Sequence, residues 1–402
     1  MKKITVIGAG PGCAAGMTVE AARAVEGADV VFAAARHAHL AGGKCVPLEP
    51  LSAALDAIQA RLHAGAKSAV LLSGDAALFS LLPALARRFG AENLDVIPGV
   101  GALQSLCAAL RESWQGAEIL SAHGRDLPVS ALLHAVRTHG RTFLFCDAKH
   151  GPGWACEAFA RCGLGAVEVA VGERLSYPDE RITSGTANEL RGQKFDALSM
   201  ARILNPAPVS GLPPIGIPDE AFQRGKVPMT KREIRRLVIA ALQLTPDCAV
   251  WDVGAGTGSV SVECALQCPA GWVYAVEREA DARALTEANA RLFCAENLTV
   301  IPGSAPEAFA GLPTPARVFL GGTGGGMDAI LDHIEGLGVN LRLVATAVTL
   351  ESAHRLTERL SRWGDFEAAQ IAVSRLETVG GSRMFRAQNP VFILSANWEG
   401  KQ

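Results

Sequence analysis

An apolar run closing on three alternate glycines, VWDVGAGTG at 250–258, constrains this chain more than any other feature. Glycine lets the backbone come closer to a neighbour than any Cβ would permit, and here Gly254, Gly256 and Gly258 directly follow a strand. A second apolar run, VYAVER, ends on Glu277, an acid at the tip of the next strand where it can accept hydrogen bonds from ribose hydroxyls. The spacing is G-x-G-x-G rather than the G-x-G-x-x-G of dinucleotide binders. That favours S-adenosylmethionine (SAM), which has a ribose and an adenine but no pyrophosphate. Asp252, inside the strand end, is expected to orient the loop or to approach the ligand's positive end. A methyltransferase is the expected class.

Composition narrows the rest. A chain of 402 residues is long enough for two or three domains, each with its own core. Hydrophobic residues reach 49% and aromatics only 5%, so the cores are aliphatic. A formal net charge of −2 argues against nucleic acid as the main partner. The N-terminus MKKITVIGAG reads as a strand entering a turn, not a signal peptide, and no apolar run is long enough for a membrane span. None of the ten cysteines forms a C-x-x-C, and no His/Cys set lies near them, so no metal site is expected. Free thiols point to a reducing, cytoplasmic setting.

Between Asn205 and Met229 the sequence holds six prolines and three glycines. Proline fixes φ and removes a donor, so this stretch is expected to be a linker rather than a helix or central strand. The expected division is a domain at 1–204, a linker at 205–225 and a domain at 226–402. On both sides short β-branched runs alternate with stretches of helical period, the pattern of α/β architecture with mainly parallel strands. Expected strands are 4–7, 29–33, 69–72, 94–97, 118–121, 142–146 and 167–171, then 249–253, 272–276, 298–301, 316–320 and 341–347. An antiparallel ending is expected near 368–374 and 390–396.

In the second half, Thr230 to Leu242 reads as a helix. Thr230 and Glu233 form a capping-box pair, and Ile234, Leu237, Val238, Ala241 and Leu242 make the apolar stripe. Lys231, Arg232, Arg235 and Arg236 then form the exposed face, as solvated charge or as an electropositive rim for a substrate bearing carboxylates. IPGSAPEAF at 301–309 ends a third strand with small residues placed to meet an adenine. GGTGGGM at 321–327 has five glycines in six residues, a bare backbone whose N–H groups, including those of Gly324 and Gly325, can face a flat, anionic substrate. The Asn/Asp-Pro-Pro-aromatic stretch frequent in nucleic-acid aminomethyltransferases is missing.

The runs PMTKREIR, VWDVGAGTGSVSVE, VYAVER, GSAPE, RVFLGGTGGG, ATAVTLES and NPVFIL resemble the SAM-dependent family that methylates C15 of a precorrin and decarboxylates its acetate side chain. The resemblance covers 226–402. It implies a Rossmann-like class I methyltransferase fold and SAM contacts at Thr230, Gly254, Ala255, Gly256, Thr257, Gly258, Glu277 and Ala305.

The first half opens with ITVIGAGPG, a strand and glycine-rich turn that also begins many flavin-binding domains. A flavin site would want an acid at the end of the second strand, and ADVVFAAARH has none there. SGDAALF places Asp75 at an expected helix N-cap, and IPGVGALQSL repeats a strand-to-helix step. With SAHGRD and VGERLSYPDE, these motifs resemble the tetrapyrrole methylase family, in its precorrin C5-methyltransferase branch, over about 1–200. The resemblance implies two α/β lobes and SAM contacts at Gly10, Pro11, Gly74, Asp75, Gly101, Ala102, Cys146 and Gly172. Ala76 stands where the family has a proline, and Gly101 and Ala102 stand where serines are common.

His37 and His39 alternate on a possible strand end, and a lone histidine is usually structural. His123 and Arg125 sit at a strand end near the expected cleft, which makes them candidates for substrate contact with Arg232. No G-x-S-x-G elbow, P-loop or H-E-x-x-H occurs. Together the halves resemble a fused C5,15-methyltransferase family of cobalamin biosynthesis, with two SAM per chain, a precorrin substrate and a homo-oligomeric state implied. Two rivals stand beside it: a nucleic-acid or protein methyltransferase joined to a flavin domain, and a non-catalytic SAM-binding regulator.

Overall fold

The computed structural model describes residues 3–400. It divides into two units, one running through Leu127 and from Ala135 to Pro208, the other taking Pro128–His134 and the chain from Val209 onward.

The first unit contains two five-stranded sheets. One is wholly parallel, ordered Cys45–Pro47, Val30–Ala33, Ser68–Leu72, Ile4–Gly8, Leu94–Ile97. Its central strands are buried on both faces, and continuous apolar runs such as SAVLL are what that demands. The other sheet departs from the expected parallel pattern. Glu118–Ser121 and Arg141–Phe145 are parallel, but Ser199–Leu204, Glu168–Glu173 and Arg181–Thr186 join them antiparallel. Arg181–Thr186 and Ser199–Leu204 were not among the expected strands. RITSGT is half-exposed on an edge, so it lacks the apolar run that marks a buried strand.

The second unit is built on a seven-stranded sheet. Numbered along the chain, its strands lie in the order third (Leu298–Pro302), second (Trp272–Glu277), first (Ala249–Val253), fourth (Arg317–Leu320), fifth (Leu341–Ala347), seventh (Val391–Trp398), sixth (Gly364–Ile371). The first five are parallel and the last two antiparallel. Aliphatic cores cover both faces. One is centred on Trp251, Leu320, Ile330 and Leu343, with Trp251 stacked on Phe309 at 4.4 Å; the other on Val238, Val250, Cys264 and Phe319. Between the sixth and seventh strands the chain forms an unexpected hairpin, Ser374–Val379 with Ser382–Ala387. Its Gly380-Gly381 turn, both glycines at positive φ, was the available signal.

The helix after the proline-rich segment is rotated relative to the expected one. It spans Arg232–Leu242, capped at Lys231 without a side-chain bond, so Thr230 and Glu233 form no capping box. Leu237, expected in the core, is 42% exposed, whereas Arg235, expected on the surface, is fully buried. Ile239 takes the core position instead. The reason is electrostatic. Arg235 pairs with Glu263 through Nε and with Asp219 through Nη1 at 3.3 Å, donates to the carbonyls of Thr230 and Ile217, and lies 4.8 Å from the Phe222 ring. Asp219 also accepts from Arg375 of the hairpin at 2.9 Å, and Arg375 reaches on to Glu233. The proline-rich segment is therefore tied down over its second part: Gly216 and Ile217 donate their amides to Glu263, and Asp219–Ala221 forms a short 3₁₀ turn.

Removing one partner from a buried ion network leaves uncompensated charge. Arg235→Leu should lower the unfolding free energy of this unit by about 3–5 kcal/mol. The exposed Arg236→Leu should change it by less than about 0.5 kcal/mol. Urea titration of both variants checks the contrast.

Candidate functional site

Strand order reverses between Ala249–Val253 and Arg317–Leu320, the place where an open α/β sheet leaves a crevice beyond its strand ends. Both glycine loops emerge there. Gly254, Gly256 and Gly258 all have positive φ, +75°, +60° and +74°. A Cβ on Gly254 would stand 2.4 Å from the Gly322 carbonyl oxygen, and one on Gly258 would stand 2.6 Å from Thr286 Cγ2. The two loops thus touch backbone to backbone, with no room for a side chain between them.

Glu277 holds this arrangement. Its Oε2 accepts from the Gly256 amide at 2.9 Å and its Oε1 from the Glu279 amide at 3.0 Å. Each carboxylate oxygen has room for two hydrogen bonds, so one acceptor direction per oxygen stays open, which suits a vicinal diol. Asp252 lies behind the loop, fully buried, with Oδ2 accepting from the Ser261 hydroxyl and Oδ1 without a partner. Burial pushes its carboxyl up to about 7; the Ser261 bond works against that rise and the nearby Glu277 charge adds to it. Asp252 is thus tied to the helix that follows the loop and does not line the cleft.

The cleft itself has a volume of about 1570 Å³. Thr230, Gly254, Ala255, Gly256, Glu277, Ala305 and Gly324 line it, so most of the expected positions in this half are brought together. Thr257 and Gly258 do not line it. Thr257 is buried beneath the loop, and Gly258 caps the helix Ser259–Gln267. Gly325 and Arg232 also lie off the wall; Arg232 sits 3.5 Å from Glu233. Lys231, one of the four basic residues expected as solvated charge or as an electropositive rim, lies on the wall, and residues not singled out from sequence complete the enclosure: Lys226 on the entry segment, Arg278 after Glu277, and Glu377 and Arg386 on the hairpin. Asn289, fully buried, was missed as well. Its amide group binds the carbonyls of Thr257 and Gln223 and the amide of Gln223, joining the glycine loop to the entry segment. A lone asparagine in a helix carries no sequence signal for that role.

In the first unit three loops converge at the ends of adjacent parallel strands. Gly10 and Gly74 exchange amide–carbonyl bonds of 3.2 and 2.8 Å, and Pro11 packs on Gly16. Asp75 is not a helix N-cap, since the next helix begins at Leu82. Instead Oδ1 accepts from the Ala77 amide and Oδ2 from the Gly99 amide, tying one loop to the next. Gly101 caps the helix Ala102–Leu110. Cys146 and Gly172 are buried in the other sheet, both beside the strand Ser199–Leu204, and burial pushes the Cys146 thiol up to about 12. A Cβ on Gly172 would stand 2.9 Å from Leu106, so the helix after Ala102 packs directly on it. His123 and Arg125 are exposed, the latter 5.2 Å from the Phe79 ring.

Comparison with known proteins agrees with this division of motifs. Residues 3–191 match the model for tetrapyrrole (corrin/porphyrin) methylases and 220–398 that for a precorrin methyltransferase domain. The precorrin-6Y C(5,15)-methyltransferase [decarboxylating] of Sinorhizobium sp is 32% identical over 96% of this chain and 94% of its own. The chain belongs to this family. Its counterpart in Mycobacterium tuberculosis (strain CDC 1551 / Oshkosh) is 34% identical over 84% of both chains. The cobalt-precorrin-6B C(15)-methyltransferase (decarboxylating) of Salmonella typhimurium is 38% identical, over 45% of this chain and 95% of its own. The fold is that of the family: a tetrapyrrole methylase half followed by a Rossmann-like methyltransferase half, and the family uses SAM. Neither a flavin-linked nucleic-acid or protein methyltransferase nor a non-catalytic SAM binder finds support among these relatives. No helix among the described residues is long and apolar enough to cross a membrane.

The raised Asp252 carboxyl has a pH signature. Between the usual value of 3.8 and about 7 the unfolded chain loses this proton while the folded chain keeps it. Stability from this group is therefore complete below pH 3.8 and declines until about pH 7. The slope is at most roughly 1.4 kcal/mol per pH unit. Asp252→Asn should flatten the unfolding free energy across that range relative to the unmutated chain, as urea titrations at successive pH values would measure.

Proposed function

We propose that this chain methylates a precorrin at C5 and C15 and decarboxylates the ring C acetate, binding one SAM in each half. The observation that carries the reading is the shared cleft of the second unit: the Glu277-braced loop and the glycine-rich loop at 321–326 open onto the same space. At about 1570 Å³ it exceeds the roughly 300–1000 Å³ of a single-ligand pocket, enough for cofactor and macrocycle together.

Glu277 would hold the ribose, the side-chain-free surface of Gly254–Gly256 would pass the methionine end, and Ala305 would meet the adenine, with Thr230 closing the near side. Bound SAM supplies a methyl group already activated on a sulfonium. What remains for the protein is alignment with an enamine-like meso carbon, which needs little base assistance. Decarboxylation needs an acetate held out of water with its electrons free to enter the conjugated ring. Within Gly321–Gly326 the amides of Gly321 and Gly322 go to the Val253 carbonyl and that of Gly326 to Thr323, which leaves those of Thr323, Gly324 and Gly325 to hold that acetate or an adjoining carboxylate. In the first unit the convergent loops at Gly10–Pro11, Gly74–Asp75 and Gly101–Ala102, with Cys146 and Gly172 behind them, would hold the second SAM, and His123 and Arg125 would meet the substrate. Ten free cysteines support a cytoplasmic setting, and the exposed cross-strand pair Leu376–Phe385 supports a homo-oligomer.

Two outcomes test the reading. Calorimetry should give two SAM transitions per chain. Glu277→Ala should weaken one of them by about ten- to hundredfold, the worth of one charge-assisted hydrogen bond or more, and leave the other alone. A single transition, or equal weakening of both, refutes the assignment. For separability, the bonds from Gly216 and Ile217 to Glu263 mean that a C-terminal piece must begin near Val209 rather than at 226. That piece should add one methyl group and release carbon dioxide, whereas residues 1–208 should add the other methyl and release none. Carbon dioxide from the N-terminal piece would overturn the division.

A further inference from the structure

Outside the positions already assigned, the first unit carries a cluster of three side chains that no step above uses. Arg36 and His37 follow the strand Val30–Ala33, and Ser73 follows the neighbouring strand Ser68–Leu72, immediately before Gly74. Arg36 donates to Ser73 Oγ from Nη2 at 2.6 Å and from Nε at 3.2 Å. His37 Nε2 lies 2.6 Å from the same hydroxyl and 3.3 Å from Arg36 Nε. His37 is buried and Arg36 is exposed. Burial first, then the Arg36 and His39 charges, lower the His37 ring to about 4, so it is neutral at physiological pH.

The guanidinium is thus fixed by two neutral groups, and no carboxylate among the described residues pairs with it. Asp75, two residues beyond Ser73, has both oxygens on backbone amides. A surface arginine held rigid in this way has lost side-chain entropy without gaining charge neutralisation, and its remaining N–H donors keep a fork geometry suited to a carboxylate. Its place matters equally. Ser73 leads into the Gly74 loop, which bonds to Gly10 and, through Asp75, to Gly99.

We propose that Arg36, fixed by Ser73 and His37, binds a carboxylate at the edge of these convergent loops, either that of the SAM methionine end or that of a tetrapyrrole side chain. His37 acts as a positioning residue. The proposal rests on the reading of the first unit as the C5-methylating half.

The full-length chain, with Arg36→Ala and Arg36→Lys, separates the possibilities. Calorimetry would use S-adenosylhomocysteine and 5′-methylthioadenosine, which lacks the amino-acid carboxylate, and mass spectrometry would follow addition of the C5 methyl. Arg36→Ala should weaken one interaction by about tenfold or more, the factor for one charge-assisted hydrogen bond, with kcat for the C5 methyl changed much less. Weaker S-adenosylhomocysteine with unchanged methylthioadenosine assigns Arg36 to the cofactor. An elevated KM for the tetrapyrrole, with both nucleosides unchanged, assigns it to the substrate. Arg36→Lys, which keeps the charge but not the fork, should recover part of either loss. An active Arg36→Ala chain with affinities and KM unchanged overturns this proposal alone. An unmutated chain that adds no methyl at C5 overturns the reading of the first unit and this proposal with it.

Discussion

A single buried arginine organises the second unit. Arg235 lies between Glu263 and Asp219, and Asp219 passes the alternation on to Arg375 and Glu233. Its members come from four pieces of the cleft's surroundings. Glu263 is on the helix that leaves the first glycine loop, Asp219 on the entry segment, Arg375 on the hairpin, and Glu233 on the helix that carries Arg235 itself. Such an alternating chain is costly to desolvate and strongly directional, so it contributes more to fixing relative positions than to net stability. The carbonyl of Thr230 is held by the same guanidinium, which places the entry segment against the cleft.

Given that frame, the glycine loops follow from steric necessity. Three left-handed glycines turn the chain after Val253 while the Gly254 and Ala255 amides bond back to the Val276 carbonyl, and the contact of Gly254 with Gly322 brings the loop of the first strand against that of the fourth. Glu277 then fixes the loop by taking the Gly256 amide while keeping acceptor capacity toward the cleft. Asp252 stands behind, its carboxyl pushed up to about 7 by burial, so that below that pH it does not set a second full negative charge against Glu277. The first unit solves a similar problem differently. Its loops are tied to one another, Gly10 to Gly74 and Asp75 to Gly99, without an acid at the end of the second strand. In that position stand Arg36 and His37.

Much of this was legible in the chain. Periodicity located the strands Leu94–Ile97, Glu118–Ser121, Ala249–Val253 and Leu341–Ala347 at their observed ends, because short aliphatic and β-branched runs between turn signals mark strands. The G-x-G-x-G spacing and Glu277 located the cleft, because only glycine satisfies the positive φ and the close approach there. These are local demands, and a local demand leaves a mark in the sequence. The phase of the helix Arg232–Leu242 was read wrongly for the complementary reason. Hydropathy sends an arginine to the surface, and only the arrival of Glu263 from 28 residues away and of Asp219 from the entry segment makes burial of Arg235 favourable. Asp75 was likewise taken for a cap because its real partner, the Gly99 amide, belongs to another loop.

The sequence by itself therefore determined the two α/β halves, the strand–glycine–acid motif and the family to which they point. Tertiary structure decided which charges are buried, that a hairpin bearing Glu377 and Arg386 walls the cleft, and that Thr257, Gly258, Gly325 and Arg232 stand off it. Backbone geometry is encoded residue by residue, through φ preferences and alternation. The pairing of a buried charge depends on groups distant in the chain, and no single segment specifies it.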